Sequence, residues 1–156
     1  MSAGGYGGPV PDTSSYIYLN VIDYLTFSTR GNPVDYGDLT ISAYGASGGT
    51  SSSTRGIFAN LSVSPGTRQN IIEFITIATT GNTTDFGDMT TTRAGSATSN
   101  STRGICMGGA TNPSGAATNI IDFISIASTG DAKDFGDLLF AGRYAFAVSD
   151  SHGGIE

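Results

Sequence analysis

Short apolar runs alternate along the chain with stretches rich in glycine, serine and threonine. In residues 71–78 both alternating sets of side chains are largely apolar, which is typical of a strand covered on both faces. Thr80-Gly-Asn-Thr-Thr then reads as a turn, because glycine and asparagine tolerate positive φ. A further strand begins at Asp85, and no segment carries an apolar 3.6-residue period of helical length. The pattern predicts an all-β protein.

Three sequence markers recur in the same order, which predicts one structural unit used three times. The first two begin with Asn20-Val-Ile-Asp-Tyr and Asp35-Tyr-Gly-Asp-Leu, and they return at residues 70 and 85 and again at 119 and 134. The third, Ser53-Thr-Arg-Gly-Ile, returns at residue 101 and, altered, at 151. We expect a single domain, 1–156, with repeats at about 1–44, 45–93 and 94–148.

A unit of about fifty residues with roughly four short strands and two buried faces is typical of a propeller blade. The repeats resemble the kelch family, whose motif order is followed by Met107-Gly-Gly, Ile121-Asp-Phe, Phe135-Gly-Asp-Leu and Arg143. Two features differ from that family. Phenylalanine or tyrosine stands where kelch repeats prefer tryptophan, and Ala59-Asn60 replaces the glycine pair in the second unit. The resemblance implies kelch-like β-propeller blades.

Residues 70–89 and 101–109 resemble more closely the repeats of structural proteins from marine and cyanobacterial bacteriophages, and the similarity covers almost the whole chain. This resemblance implies a virion component and supplies no catalytic activity. We therefore expect a non-enzymatic structural protein on the virion exterior, made in the host cytoplasm, that acts through assembly and surface display. It would serve as a capsid decoration or knob, or as a fibre-associated module.

The number of repeats bears on assembly, since closed propellers usually contain four to eight blades. Three blades alone would leave apolar faces and unpaired strand edges in water. We expect residues 149–156 to close onto an N-terminal strand of the same chain or of a partner chain. In the second case two chains form a six-bladed ring, as a homodimer or other homo-oligomer, in contact with other virion proteins. The alternative is a single-chain β-prism of three sheets, the arrangement of some plant lectins.

Three acidic residues lie at equivalent positions inside apolar strands, namely Asp23, Glu73 and Asp122. An unpaired buried carboxylate is costly, and Arg55 and Arg103 in neighbouring strands are candidate partners. We expect an ion pair or a backbone-bonded carboxylate that repeats with the architecture. A catalytic carboxylate pair would instead have asymmetric surroundings.

The second marker places an aromatic residue and a glycine between two aspartates, at Tyr36-Gly37, Phe86-Gly87 and Phe135-Gly136. We interpret these pairs as structural. A kinase DFG element is excluded, because three copies occur without a glycine-rich nucleotide loop or a lysine-bearing strand ahead of them. Calcium is disfavoured as well, since the acidic and amide residues of the marker match no known calcium-loop spacing.

Composition narrows the function classes further. A formal net charge of -6 without a basic patch lacks the electrostatic footprint of nucleic-acid binding. The single cysteine, Cys106, permits neither an internal disulfide nor a cysteine metal cluster, and its strand position predicts a small buried side chain. No apolar run is long enough to cross a membrane, and the first residues lack the pattern of a secretory signal. We expect no cofactor and no metal.

The alternative function is a carbohydrate-binding, lectin-like module that recognises host surface glycans. Serine, threonine and asparagine side chains in exposed loops supply hydrogen bonds to sugars, and aromatic rings stack on pyranose faces. Loops are the usual carriers of such functions. The pattern singles out no particular residue as a glycan contact.

Overall fold

The computed structural model describes residues 1–7, 17–64 and 67–149, which form three antiparallel sheets with no helix among them. Sheet 1 has the order β1 (Ser2–Gly7), β2 (Ile17–Tyr24), β3 (Val34–Ala43). Sheet 2 has the order β4 (Gly45–Ser51), β5 (Arg55–Ser64), β7 (Ile71–Thr76), β8 (Thr84–Asp88), and β6 (Thr67–Arg68) pairs with β5. Sheet 3 has the order β9 (Arg93–Ser99), β10 (Arg103–Thr111), β11 (Thr118–Ser125), β12 (Lys133–Gly142). The all-β prediction is confirmed.

Sheets 1, 2 and 3 follow one another along the chain, and the described residues form no closed propeller. The structure therefore shows three separate antiparallel sheets, and their assignment as kelch-like propeller blades stays a prediction. A three-sheet arrangement is also consistent with the β-prism alternative. The strand composition differs between units, because sheet 1 begins with the strand that corresponds to β5 and β10 rather than to β4 and β9.

The Asp-aromatic-Gly-Asp marker forms a β-bulge at the same place in every sheet. In sheet 1, Ile22 lies opposite Gly37 while the next residue of β2 lies opposite Asp35, so Tyr36 is left without a cross-strand partner. The same register shift occurs in sheets 2 and 3. The glycine of each marker has a positive φ, between 140° and 153°, which favours glycine over residues with a Cβ. The marker therefore forms a β-bulge, which bends the strand.

Two hydrophobic clusters hold the sheets together, and both involve sheet 2. The first lies between sheets 1 and 2 and contains Ile22, Tyr36, Leu39, Ala43, Phe58, Leu61 and Ile75. The second lies between sheets 2 and 3 and contains Ile57, Ala59, Ile72, Phe86, Met89, Cys106, Ile124, Ile126 and Ala132. Sheet 2 is therefore covered on both faces, as the apolar pattern of residues 71–78 predicts.

Candidate functional site

The contact between sheets 1 and 2 is made by a loop of sheet 2 that lies against the bulged strand of sheet 1. We call residues 27–33, 77–83 and 126–132 the docking loops, since they occupy equivalent positions before β3, β8 and β12. In the second docking loop the Gly81 N–H donates to the Tyr36 carbonyl at 2.8 Å, and the Thr83 N–H donates to the Asp38 carbonyl at 2.8 Å. The Asp38 N–H donates to Asn82 Oδ1 at 3.0 Å. These three hydrogen bonds, each of which involves a backbone N–H, help to fix the loop on β3.

The contact between sheets 2 and 3 repeats this geometry bond for bond. The Gly130 N–H donates to the Phe86 carbonyl at 2.7 Å, and the Ala132 N–H donates to the Asp88 carbonyl at 2.8 Å. The Asp88 N–H donates to Asp131 Oδ1 at 3.0 Å. One sheet-to-sheet interface is therefore used twice within the chain, with each docking loop seated on the sheet before it.

The marker glycines lie where the docking loops come closest. A Cβ on Gly37 would lie 2.3 Å from the Gly81 carbonyl oxygen, and a Cβ on Gly87 would lie 2.5 Å from the Gly130 carbonyl carbon. A Cβ on Gly136 would meet nothing within 4 Å. The first two glycines make room for a neighbouring backbone, whereas the third faces open space.

The marker aromatics show the same difference. Tyr36 is 5% exposed and Phe86 is 2% exposed, whereas Phe135 is 51% exposed. The Tyr36 hydroxyl bonds with the carbonyls of Thr76 and Thr79 in sheet 2, and burial raises the pKa of Tyr36 above its usual value. The third copy of the interface is thus exposed in the described part of the chain.

Two of the three strand acids, Glu73 and Asp122, lie at the two formed interfaces. Glu73 is fully buried, accepts a hydrogen bond from the Thr40 N–H at 3.1 Å, and bonds with the Thr40 and Thr83 hydroxyls. Asp122 is fully buried and accepts a bond from the Thr90 hydroxyl at 2.7 Å. In both cases a threonine that follows the bulge of one sheet reaches the acid of the next sheet. Asp23, the equivalent acid of sheet 1, is partly exposed.

Asp122 also forms a buried ion pair, but not with the expected arginine. Arg93 Nη1 lies 2.7 Å from Asp122 Oδ2, and both side chains are 0% exposed. The remaining Arg93 nitrogens donate to the carbonyls of Gly108 at 3.0 Å and Cys106 at 3.1 Å. The guanidinium is thus satisfied by one carboxylate and two backbone carbonyls inside sheet 3.

The expectation that Arg55 and Arg103 pair with the strand acids is wrong, because both guanidinium groups stack on aromatic rings instead. Arg55 lies 4.6 Å from the centre of the Phe74 ring, and Arg103 lies 5.2 Å from that of the Phe123 ring. Arg55 also donates from Nη1 to the Ile126 carbonyl of sheet 3 at 2.9 Å. Arg55 therefore contributes to the interface rather than to an ion pair.

Cys106 is buried against this ion pair, as its strand position predicts. Burial raises the pKa of the Cys106 thiol to about 11, and Arg93 opposes that effect while Asp122 adds to it. A thiol with so high a pKa is protonated at neutral pH and is a poor nucleophile. Cys106 is thus a packing residue of the sheet 2–sheet 3 cluster.

The segment 143–149 lies beside β9 in the way that β9 lies beside β4. The Ser99 hydroxyl donates to the Ser51 carbonyl at 3.1 Å, and the Ser149 hydroxyl donates to the Ser99 carbonyl at 2.5 Å. Ser96 adds a hydroxyl bond to the Ala145 carbonyl. The predicted closure of residues 149–156 concerns mainly 150–156, which lie outside the described residues.

Each sheet also carries a small cavity at its docking loop. The three cavities have volumes of about 230, 240 and 380 Å³ in sheets 1, 2 and 3. Each is lined by an aromatic residue of the strand before the loop, Tyr24, Phe74 or Phe123, and by hydroxyl-bearing residues of the loop, together with an asparagine in sheets 1 and 2 and an aspartate in sheet 3. The same ring packs edge-on against the marker aromatic, with centroids 5.9–6.0 Å apart. The cavities are therefore a second feature that repeats three times.

No protein-family model and no curated protein sequence matches the chain. Among the described residues, no three histidine, cysteine or acidic side chains lie in an arrangement that could hold a metal ion. The described residues also contain no helix of the length and apolar character needed to span a membrane.

Proposed function

We propose that this protein is a non-enzymatic structural module of a bacteriophage particle that acts by self-association through its outer sheet faces. Two lines of support carry the proposal. The repeat sequences resemble those of phage structural proteins, and one sheet-to-sheet interface is formed twice and exposed once. The module would stand on the virion exterior, as a capsid decoration or as a fibre-associated piece.

The serial contact of the sheets favours propeller-type packing over a prism. In a three-sheet prism each sheet packs against both others around one core. Here sheet 1 and sheet 3 each pack against opposite faces of sheet 2, through two separate clusters. We therefore propose that the sheets are kelch-like blades, related by one repeated step along the chain.

The observation that carries the assembly role is the exposure of Phe135, whose equivalents Tyr36 and Phe86 are buried. An exposed apolar patch on a sheet face marks an interaction surface. Light scattering after size exclusion tests the proposal: we expect a species of about twice the 15.9 kDa chain mass or larger at micromolar concentration. A stable monomer at every concentration would contradict self-association.

The location in the particle needs a separate experiment. Antibodies against the purified chain should label intact virions of the source phage in electron micrographs without prior disruption. Labelling that appears only after the particles are opened would contradict an exterior position, and no labelling in either state would contradict a virion component.

The three loop cavities favour carbohydrate binding as a second candidate function. An aromatic ring beside hydroxyl and amide groups suits a sugar, whose apolar face stacks while its hydroxyls bond. The triple variant Arg30→Ala, Thr80→Ala, Thr129→Ala changes one lining residue in each cavity. If the cavities bind glycans, the wild type should give signals on a glycan array that this variant loses. A matched Thr54→Ala control should retain them, and silence of the wild type across the array would contradict this candidate.

A further inference from the structure

We infer that sheet 3 of one chain docks onto sheet 1 of a second copy, and that two copies close head-to-tail into a ring. The inference rests on the proposed self-association and specifies its geometry. The two internal interfaces indicate what the exposed face of sheet 3 binds, because in each of them the same face of a sheet binds the docking loop of the next sheet. The docking loop of sheet 1, residues 27–33, is the copy that neither internal interface uses.

The two faces that would meet are both apolar and both exposed. On sheet 3, Phe135 and Leu138 occupy the positions of two residue pairs that are buried at the internal interfaces. These pairs are Tyr36 with Leu39 and Phe86 with Met89. Leu139, next to Leu138, is 95% exposed. On sheet 1, Leu25 and Phe27 occupy the positions of Ile124 and Ile126 in sheet 3. Phe27 is 99% exposed, whereas Ile126 is 1% exposed. Burial of both faces against each other would remove them from water.

The polar contacts needed for docking are present on both sides. The carbonyls of Phe135 and Asp137 correspond to those that accept from the docking loops at the internal interfaces. Gly31 and Asn32 of the second copy supply an N–H and a side-chain oxygen equivalent to those of Gly81 and Asn82. The open space beside Gly136 is where Gly31 of the second copy would lie.

Arg103 adds a further contact. Its equivalent, Arg55, stacks on an aromatic ring of its own sheet and donates to the Ile126 carbonyl of the next sheet. Arg103 stacks in the same way on Phe123. By the same step, its guanidinium would donate to the carbonyl of Phe27 in the second copy.

The closing interface, between sheet 3 of one chain and sheet 1 of the other, differs from the two internal interfaces in two ways. Pro33 replaces Thr83 and Ala132, so one backbone N–H donor is lost, since proline carries none. Leu139 replaces the threonines that bond to the strand acids, so Asp23 of the second copy would receive no hydroxyl there. The closing interface is therefore more apolar and has fewer hydrogen bonds than either internal one.

The segment 143–149 completes the fit. It lies next to β9 as β9 lies next to β4, which is the position of the first strand of a further sheet. Sheet 1 has no such strand among the described residues, because β1 corresponds to β5 and β10. In the ring, this segment of one chain would lie beside β1 of the second copy.

A disulfide cross-link tests the docking. One chain carries Asn32→Cys and the other carries Asp137→Cys, the pair equivalent to Asn82 and Asp38, whose side-chain oxygen and backbone nitrogen lie 3.0 Å apart. We expect a covalent dimer when the two chains are mixed and oxidised. The internal control, Asp38→Cys with Asn82→Cys in one chain, should form its disulfide without a change in mass. Native Cys106 is buried and stays in all chains.

Several outcomes would overturn the inference. If the internal control closes and the mixed chains give no cross-link, the docking is wrong. Cross-links between two copies of the same single-cysteine chain indicate a symmetric face-to-face contact instead. With both cysteines in every chain, a ladder of higher oligomers would overturn closure into a two-chain ring, and a covalent dimer without a ladder supports it. A dimer by light scattering without the cross-link refutes this geometry alone, whereas a monomer refutes the proposed function as well.

A substitution on the face gives a second measurement. Phe135→Ser should raise the Kd of the dimer about 10- to 100-fold, because it removes one large apolar side chain from the contact. Ile17→Ser, at another exposed apolar residue to which the docking assigns no contact, should leave the Kd within about threefold of the wild type. Equal Kd values for the Phe135→Ser variant and the wild type would overturn the assignment of this face.

Discussion

The buried ion pair between Arg93 and Asp122 gives the sharpest stability prediction, through the variant Asp122→Ala. Both side chains are fully buried and the pair distance is 2.7 Å. Removal of the carboxylate leaves the guanidinium in the interior with only two carbonyl acceptors, those of Gly108 and Cys106. It also leaves the Thr90 hydroxyl without the acceptor that it has at 2.7 Å.

The expected cost follows from the uncompensated charge. Removal of one member of a buried ion pair typically costs about 3–5 kcal/mol. A domain of this size has a free energy of unfolding of roughly 5–15 kcal/mol. Asp122→Ala should therefore remove about a fifth or more of the stability and lower the Tm by roughly 10 °C.

The matched variant is Glu73→Ala, at the equivalent position of sheet 2. Glu73 is also fully buried, but it bonds with threonine hydroxyls and one N–H and pairs with no described cation. Its loss leaves neutral hydrogen-bond donors without an acceptor, so we expect a smaller loss of stability, about 1–3 kcal/mol. The double variant Arg93→Met with Asp122→Leu removes both charges and should lie within about 2 kcal/mol of the wild type.

Urea unfolding followed by circular dichroism and tyrosine fluorescence measures these differences, since the chain has 7 tyrosines and no tryptophan. All variants are compared at one protein concentration, because the proposed self-association would add to the apparent stability. A cost below about 1 kcal/mol for Asp122→Ala would refute the reasoning. The reasoning would also be refuted if the double variant lost as much stability as the sum of Arg93→Met and Asp122→Leu, each measured alone.

Three further predictions concern the thiol and the marker glycines. At pH 8, Cys106 should react with a disulfide reagent at least roughly a hundredfold more slowly in the folded chain than in urea, and equal rates would contradict its burial. Because the folded chain raises the pKa of this thiol from 9.0 to about 11, its contribution to stability is complete below pH 9 and is lost as the pH rises through 11. The wild type should then lose roughly 2–3 kcal/mol more than Cys106→Ala between pH 8 and 12, measured by urea midpoints, and parallel curves would count against the shift. Finally, Gly87→Ala should cost clearly more stability than Gly136→Ala in the monomer, since both have positive φ but only the first faces a backbone at 2.5 Å. Equal losses in thermal unfolding would show that φ alone accounts for both.

The all-β class was accessible from the sequence, because short apolar runs alternate with turn-rich stretches along the chain. The alternation in residues 71–78 indicates a strand with two covered faces, and Ile72 and Ile75 are buried on opposite sides of sheet 2. The Asp-aromatic-Gly-Asp marker was interpretable as structural, since a glycine at a fixed place in every unit points to a backbone requirement. That the requirement is a bulge against a neighbouring loop became apparent only from the pairing register.

The partner of the buried acid was not accessible, and the reason is physical. Arg55 and Arg103 recur with the repeat and attract attention for that reason, but their side chains lie over aromatic rings. Arg93 follows Phe86-Gly-Asp-Met as Arg143 follows Phe135-Gly-Asp-Leu, so the kelch-like motif order includes it. That order gives no indication that the Arg93 side chain reaches Asp122.

The differences between the units explain how near-identical repeats keep their order. Three similar sheets can in principle pair in the wrong sequence, because their backbones and apolar faces are alike. Each contact has its own polar chemistry, however. Glu73 bonds with the Thr40 hydroxyl of sheet 1, Asp122 binds Arg93 and the Thr90 hydroxyl, and Leu139 stands at the equivalent position of sheet 3. If the second docking loop were seated on the face bearing Leu139, Glu73 would lose the hydroxyl bond that it has with Thr40, and a buried polar group that loses a partner is costly. The shared backbone geometry thus supplies the affinity of each contact, and the residues that differ select which sheets meet.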